Sequence, residues 1–345
     1  MSLGRAIAER NPAELPSRRD EDWRWTDLRG LIREIPPASP ANDDRLPLGP
    51  FHALAGEEVV IINGRGPGLV EVAAGEDRTI AVRFHSTAGA GSHTAELAIS
   101  VGDGASLTLL ESHEGVSAGY ITACAIEIGV GERAKVERIV IASDHADSVG
   151  ASIARVALGA GAHFAQTTLT TGARRQRLET RVSHPGHGAA VRLDGLYLLS
   201  DRRHADLTTV VTHQGVDGVT DQLTKGVADD QGRGVFQGRI VVAPGADRTA
   251  AKMGHHALIL SDRAEIDAKP ELEIFADDVA CAHGNTVGAL DEEALFYARQ
   301  RGIPEPEARA LLMGAFLGEV LDRVEHEGAR DVARTWLAQR LGVEA

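Results

Sequence analysis

Aromatic residues are scarce in this chain of 345 residues: they fill 4% of positions. That leaves little material for platforms on which bases or sugar rings stack. Cysteine occurs twice, at Cys124 and Cys281. Two thiols so far apart in sequence make no disulfide framework, and they point to a reducing compartment. Basic residues are outnumbered, with 36 Lys and Arg against 50 Asp and Glu, so the net charge is −14. A nucleic acid or an anionic membrane needs clustered positive charge, so neither is an expected partner. Long apolar runs are missing too. No window approaches the ~18 uncharged apolar residues that would cross a bilayer, and the opening Met-Ser-Leu-Gly-Arg-Ala-Ile-Ala-Glu-Arg has mixed charges rather than a signal-peptide core. A cytoplasmic protein is expected.

Three catalytic signatures are also lacking or unconvincing. No G-x-x-x-x-G-K-[ST] loop is present, so the chain is not expected to bind or hydrolyse a nucleotide. Zinc-protease H-E-x-x-H is absent. Gly115-Val-Ser117-Ala-Gly119 fits the letters of a nucleophile elbow, but a strand-like run follows it where an elbow needs a helix.

What the chain does have is a rhythm. The first 35 or so residues carry short helical apolar spacing at Leu3–Glu9 and Trp23–Glu34, ended by Pro36, Pro37 and Pro40. From about Val59 the texture changes to alternating apolar runs punctuated by glycine, such as Thr79–Phe84, Ala95–Val101 and Tyr120–Ile128. A Gly-x-Gly doublet recurs at Gly102/Gly104, Gly129/Gly131, Gly159/Gly161 and Gly186/Gly188, and single glycines at Gly218 and Gly245 continue it. Repeats in the range of ~20–50 residues mark a solenoid. Each period holds two strand-like runs and no helix, which suits a β-solenoid, with glycines at corners that need φ > 0 and small apolar side chains inside. A β-sandwich with evenly spaced hairpins is the alternative. The expected organisation is an N-terminal helical segment and linker (1–50), a β-solenoid core (51–288) and a C-terminal helical domain (289–345).

The tail reads as three helices. Asp291 is a candidate N-cap, Gly302 a stop and Pro304 a breaker. A second helix from about Pro306 lines up Ala308, Leu311, Leu312, Ala315, Phe316, Val320 and Val324, and a third spans about Ala329–Leu341. The open ends of a solenoid expose strand edges that must be capped or used for pairing. The helical segments are expected to cap or flank those ends, or to offer a face to a partner.

One constellation stands out chemically. Cys281 and His283 lie two positions apart, so an extended chain turns both to one face. Thiolate and imidazole bind soft and borderline metals. Two ligands do not close a site, however, and no further Cys or His has the required spacing. The pair is either an inert thiol beside a surface imidazole or half of a site completed by another chain. The other histidines cluster loosely at His184/His187, His204/His213 and His255/His256, and Cys124 reads as a buried, inert thiol.

The run Pro270–Ile303, containing E-I-F-A-D-D-V-A-C-A-H-G-N-T-V-G-A-L-D-E-E-A-L-F-Y-A-R-Q-R-G-I, closely resembles the signature of the SufB/SufD family of iron–sulfur cluster assembly scaffold proteins. Thr224–Val242 is similar to that family's core segment, and Ser17–Leu28 to the entry motif of its SufD branch. The short chain and its two cysteines also favour the SufD branch. The resemblance implies a mainly β fold, a right-handed parallel β-helix flanked by N- and C-terminal helical segments. It implies a scaffold subunit, not an enzyme, that pairs with a SufB-type paralogue and a SufC-type ATPase docked on the helical tail, or with itself when isolated. It further implies a transient iron–sulfur cluster at a subunit interface, with His283 and Cys281 as metal-binding candidates. Two other readings remain open: a purely structural partner with an inert Cys-Ala-His, and a β-helix enzyme acting on polysaccharide.

Overall fold

Residues 3–42, 46–184 and 186–343 are described by the computed structural model. Seventeen strands follow one another from β1 (Glu57–Ile62) to β17 (Ala280–Gly288). Each pairs in parallel with the strand two places along the chain. The odd-numbered strands therefore build one nine-stranded sheet and the even-numbered strands an eight-stranded one. This is a two-sheeted parallel β-solenoid of about eight coils. A hairpin sandwich would have required antiparallel neighbours.

Alternation decides which side chains enter. In β4 (Ser92–Val101), Ala95, Leu97, Ile99 and Val101 are buried while Glu96, Ala98 and Ser100 face out. Coil stacking turns such positions into columns. One inward column on the odd-numbered sheet runs Ile80, Leu109, Arg138, Gln166, Leu193, Gln222, Met253, His283. Its neighbour runs Leu107, Val136, Phe164, Val191, Thr220, Ala251, Cys281. The interior thus starts apolar and gains polar groups toward the last coil. Near the third and fourth odd-numbered strands the buried polar side chains partner one another: Glu111 takes the Arg138 guanidinium and His113 at 2.7 Å each, and Arg138 also reaches Gln166 at 2.7 Å.

One corner carries the repeat, and it coincides with the second glycine of every doublet except Gly129/Gly131, which lies two residues out of register. Gly75, Gly104, Arg133, Gly161, Gly188, Asp217 and Arg248 all have positive φ. Each donates its N–H to a carbonyl of the next coil, at 2.5–3.0 Å. Two residues before this ladder, Gly102, Gly131, Gly159, Gly186 and Gly215 press on the previous coil. A Cβ on Gly131 would come within 2.7 Å of the Asp103 nitrogen. Gly131 is therefore the equivalent of Gly102, not of Gly104, and Arg133 takes the left-handed position in that coil.

The helical segments cover the outer faces of the two sheets and leave the last coil open. At the N-terminus, α1 (Leu3–Ala8), the short α2 (Leu28–Leu31) and the segment between them bury Ala6, Ile7, Leu15 and Leu28 against Ile121, Ala123 and Val149 of the even-numbered sheet. Within Trp23–Glu34 only α2 is α-helical, because Arg177 and Asp206 dictate the path before it. The Arg177 guanidinium lies 4.5 Å from the Trp23 ring, and Asp206 binds both Arg177 and the Thr26 hydroxyl. At the C-terminus, α3 (Glu292–Gln300) starts at Asp291, whose carboxylate accepts the N–H groups of Glu293 and Ala294. It ends before Gly302 at φ +87°. The longer α4 (Glu305–Leu321) and α5 (Glu327–Leu341) pack Leu317, Val320, Leu321, Val324, Trp336 and Leu337 on Leu110, Ile139, Leu169 and Leu196 of the odd-numbered sheet. Leu311, expected on that face, is 49% exposed, because Leu317 and Leu321 take the contact. Ion pairs fix the turn between α4 and α5: Arg323 binds Asp194 and Asp221 at 3.0 Å each, Lys225 binds Glu319, and Glu137 accepts the N–H groups of Glu325 and His326. Among the described residues no helix is long and apolar enough to cross a membrane.

Candidate functional site

The solenoid stops abruptly. Strands β16 (Glu265–Ile274) and β17 each pair with one neighbour and present a free edge. Most of β17 is exposed although its sequence is that of a core strand. Such an edge is a template for another strand.

Four β17 residues stand at inward positions, continuing the columns above buried Ala251, Met253, His255 and Ala257: Cys281, His283, Asn285 and Val287. Cys281 and His283 therefore look into the interior from its open mouth, where a further coil would have buried them. Cys281 is half-buried beside Leu272, Ala276 and Val279, over a cluster that contains Phe236 and Met253. Burial pushes its thiol up, partly offset by a hydrogen bond from the Ala251 backbone. His283 is exposed. Among the described residues no three His, Cys, Asp or Glu side chains gather as a metal site. The chain offers two ligand groups and an open side.

Below this mouth lies a chain of polar contacts that pattern reading missed. The buried His255 ring stacks on Phe236 with centroids 4.7 Å apart. Its Nε2 is 2.9 Å from the Tyr197 hydroxyl, and its Nδ1 is 2.7 Å from Asn285 Oδ1. Burial lowers the His255 pKa to about 4, so the ring is neutral. His256, its sequence neighbour, points to the other face and meets Thr286 at 2.7 Å. The coil period gives the missing signal, since Asn285 lies one coil beyond His255.

The other sequence candidates fall elsewhere. Cys124 is buried in the apolar interior several coils away from Cys281. His184 stacks with His213 of the next coil, at 4.4 Å between centroids, rather than with His187. His204 donates from Nε2 to the Trp25 carbonyl, 3.1 Å away, under the N-terminal segment. Ser117 sits in a strand-to-strand turn rather than a strand-to-helix elbow, and its hydroxyl donates to the Thr87 carbonyl.

Comparison with known proteins agrees with this architecture. Residues 84–316, from the end of β3 (Asp77–Ser86) into α4, match the family described as SUF system FeS cluster assembly, SufBD core domain. The chain belongs to the SufB/SufD family. An iron–sulfur cluster assembly SufBD family protein of Synechocystis is 31% identical over 66% of this chain and 52% of its own length. The iron–sulfur cluster assembly protein SufD of Escherichia coli is 28% identical over 95% of the chain and 89% of its own length. SufD of Bacillus subtilis is 34% identical over 36% of the chain and 29% of its own. The chain thus spans about half of the Synechocystis relative but nearly all of Escherichia coli SufD, which favours the SufD branch. The SufBD core match includes the whole of β17, and with it Cys281 and His283.

Proposed function

We propose that this SufB/SufD family member is a non-ATPase scaffold subunit of a cytoplasmic iron–sulfur cluster assembly complex. It pairs through its open coil with a SufB-type paralogue, and a nascent cluster forms at that junction. The observation that carries this reading is the last coil, whose two free edges and inward Cys281 and His283 have no continuation among the described residues. The paralogue supplies the missing strand partners and ligands. Sulfide bridges between irons explain why so few protein side chains suffice. A SufC-type ATPase docks on the tail, where Phe296, Tyr297 and Leu311 are exposed. Movement of the tail on ATP binding shifts one solenoid against the other and admits iron and sulfide to the junction.

Anaerobic affinity isolation of the tagged chain from its own host is the test. Recovery of a larger paralogue with a P-loop ATPase is the expected result; recovery of the chain alone or with itself only would overturn the hetero-complex. Within a recovered complex, His283→Ala separates a ligand from an inert residue. The variant complex is expected to assemble and to lose iron and sulfide, whereas wild-type content would leave a purely structural partner.

A further inference from the structure

The polar chain below the mouth fixes the orientation of one more side chain. Burial holds the Tyr197 phenol well above its ordinary range, so its hydroxyl keeps its proton. Its one hydrogen-bond partner among the described residues is His255 Nε2. A neutral imidazole has one N–H and one bare nitrogen. If Nε2 carried the proton, the buried Tyr197 O–H would have no acceptor, which burial makes costly. Nε2 therefore accepts from Tyr197, Nδ1 carries the N–H, and the atom it meets on Asn285 is the amide oxygen. The other arm of that planar amide, with two N–H donors, has no partner among the described residues. It stands at the open rung, two residues along the strand from His283.

We propose that Asn285 presents these two N–H groups to an anionic sulfur, sulfide or thiolate, bound beside Cys281 and His283, and that Tyr197 and His255 are the positioning residues that hold the amide in that orientation. This rests on the junction reading above. An N–H···S contact there lowers the charge on sulfur and tunes what it binds, as partners around a metal's ligands commonly do. Asn285 thereby becomes a third functional group of the Cys-Ala-His segment, and the one whose orientation is set from inside the solenoid.

Two measurements test it. In the isolated full-length chain labelled with 15N-histidine, two-bond 1H–15N spectra are expected to place the His255 proton on Nδ1 and to report Nε2 as a hydrogen-bonded acceptor. Tyr197→Phe is expected to move the Nε2 resonance toward that of a free ring nitrogen. A proton on Nε2 in the wild type would overturn the assignment. In the complex, Asn285→Asp keeps the acceptor for His255 but replaces the outward donors with negative charge. Retained iron and acid-labile sulfide are expected to drop about 10–100-fold, with the His255 tautomer and the melting temperature unchanged. Wild-type iron and sulfide would overturn the donor role. Failure to isolate any complex would count against the junction reading instead, and the tautomer would still decide how Asn285 is held.

Discussion

His283 and Glu111 show how differently two polar residues on the same inward face are used. His283 ends its column without a coil above it, so its loss removes a functional group and little packing. Replacement by Ala is expected to change stability by no more than ~0.5 kcal/mol, checked by urea unfolding, while cluster content is lost. Glu111 is fully buried between Arg138 and His113, and its carboxyl lies near a pKa of about 2 despite the desolvation that burial imposes. Glu111→Gln leaves Arg138 and His113 as uncompensated charges, and a loss of ~3–5 kcal/mol is expected. Replacing Glu111, Arg138 and His113 together by apolar residues of similar volume should cost much less, since no lone charge remains. Gly226 is a third case. An added methyl would meet the Tyr197 ring at 1.9 Å, so Gly226→Ala should destabilise by ~1–3 kcal/mol and disturb the Tyr197–His255 contact.

Among the elements, the glycine corner separates two reasons for the same residue. Gly131 has no room for a side chain, because the previous coil's backbone lies within 2.7–2.8 Å of where Cβ would be. Gly104 has open space but φ +64°. Gly104→Ala should therefore cost only the left-handed penalty of ~1–2 kcal/mol, whereas Gly131→Ala must also push adjacent coils away from each other and should cost more. Thermal melts of the two variants rank them. Arg133, Asp217 and Arg248 occupy the left-handed position without being glycine, and for that reason the doublet fades in the sequence while the corner persists. The helical elements were legible as helices from capping and apolar spacing, Asp291 and Gly302 above all. Their destination was not: an amphipathic stripe states that a face is buried, not which surface buries it.

Over the whole molecule, the buried histidines set the response to acid. Desolvation lowers His93, His204, His213 and His255 to about 4 and His184 to about 3. Unfolding returns each to ~6.5. Between roughly pH 6.5 and 4 the unfolded chain binds more protons, so stability present at neutral pH is lost as pH falls through that window. Asp194, raised by burial to about 7, acts in the opposite sense across this window, whereas His113, raised to about 10, exerts its effect above it, between ~6.5 and about 10. Five groups outweigh one there, and the urea midpoint is expected to fall already between pH 6.5 and 5, before ordinary carboxylates titrate. A midpoint flat to pH 5 would contradict it. Replacing His184 and His213 together by Leu should flatten that limb.

The sequence by itself determined the solenoid, its coil length, the helical character of both flanks and the Cys-Ala-His segment, because each is written in local periodicity, turn residues or a short motif. Only the tertiary structure decided that the N-terminal segment and the tail cover opposite sheet faces and leave the free edges of the last coil open. It also decided that His255, Tyr197 and Asn285 meet although 58 and 30 residues separate them. Those outcomes depend on which coil lies above which, and coil stacking joins positions about thirty residues apart that no local pattern relates.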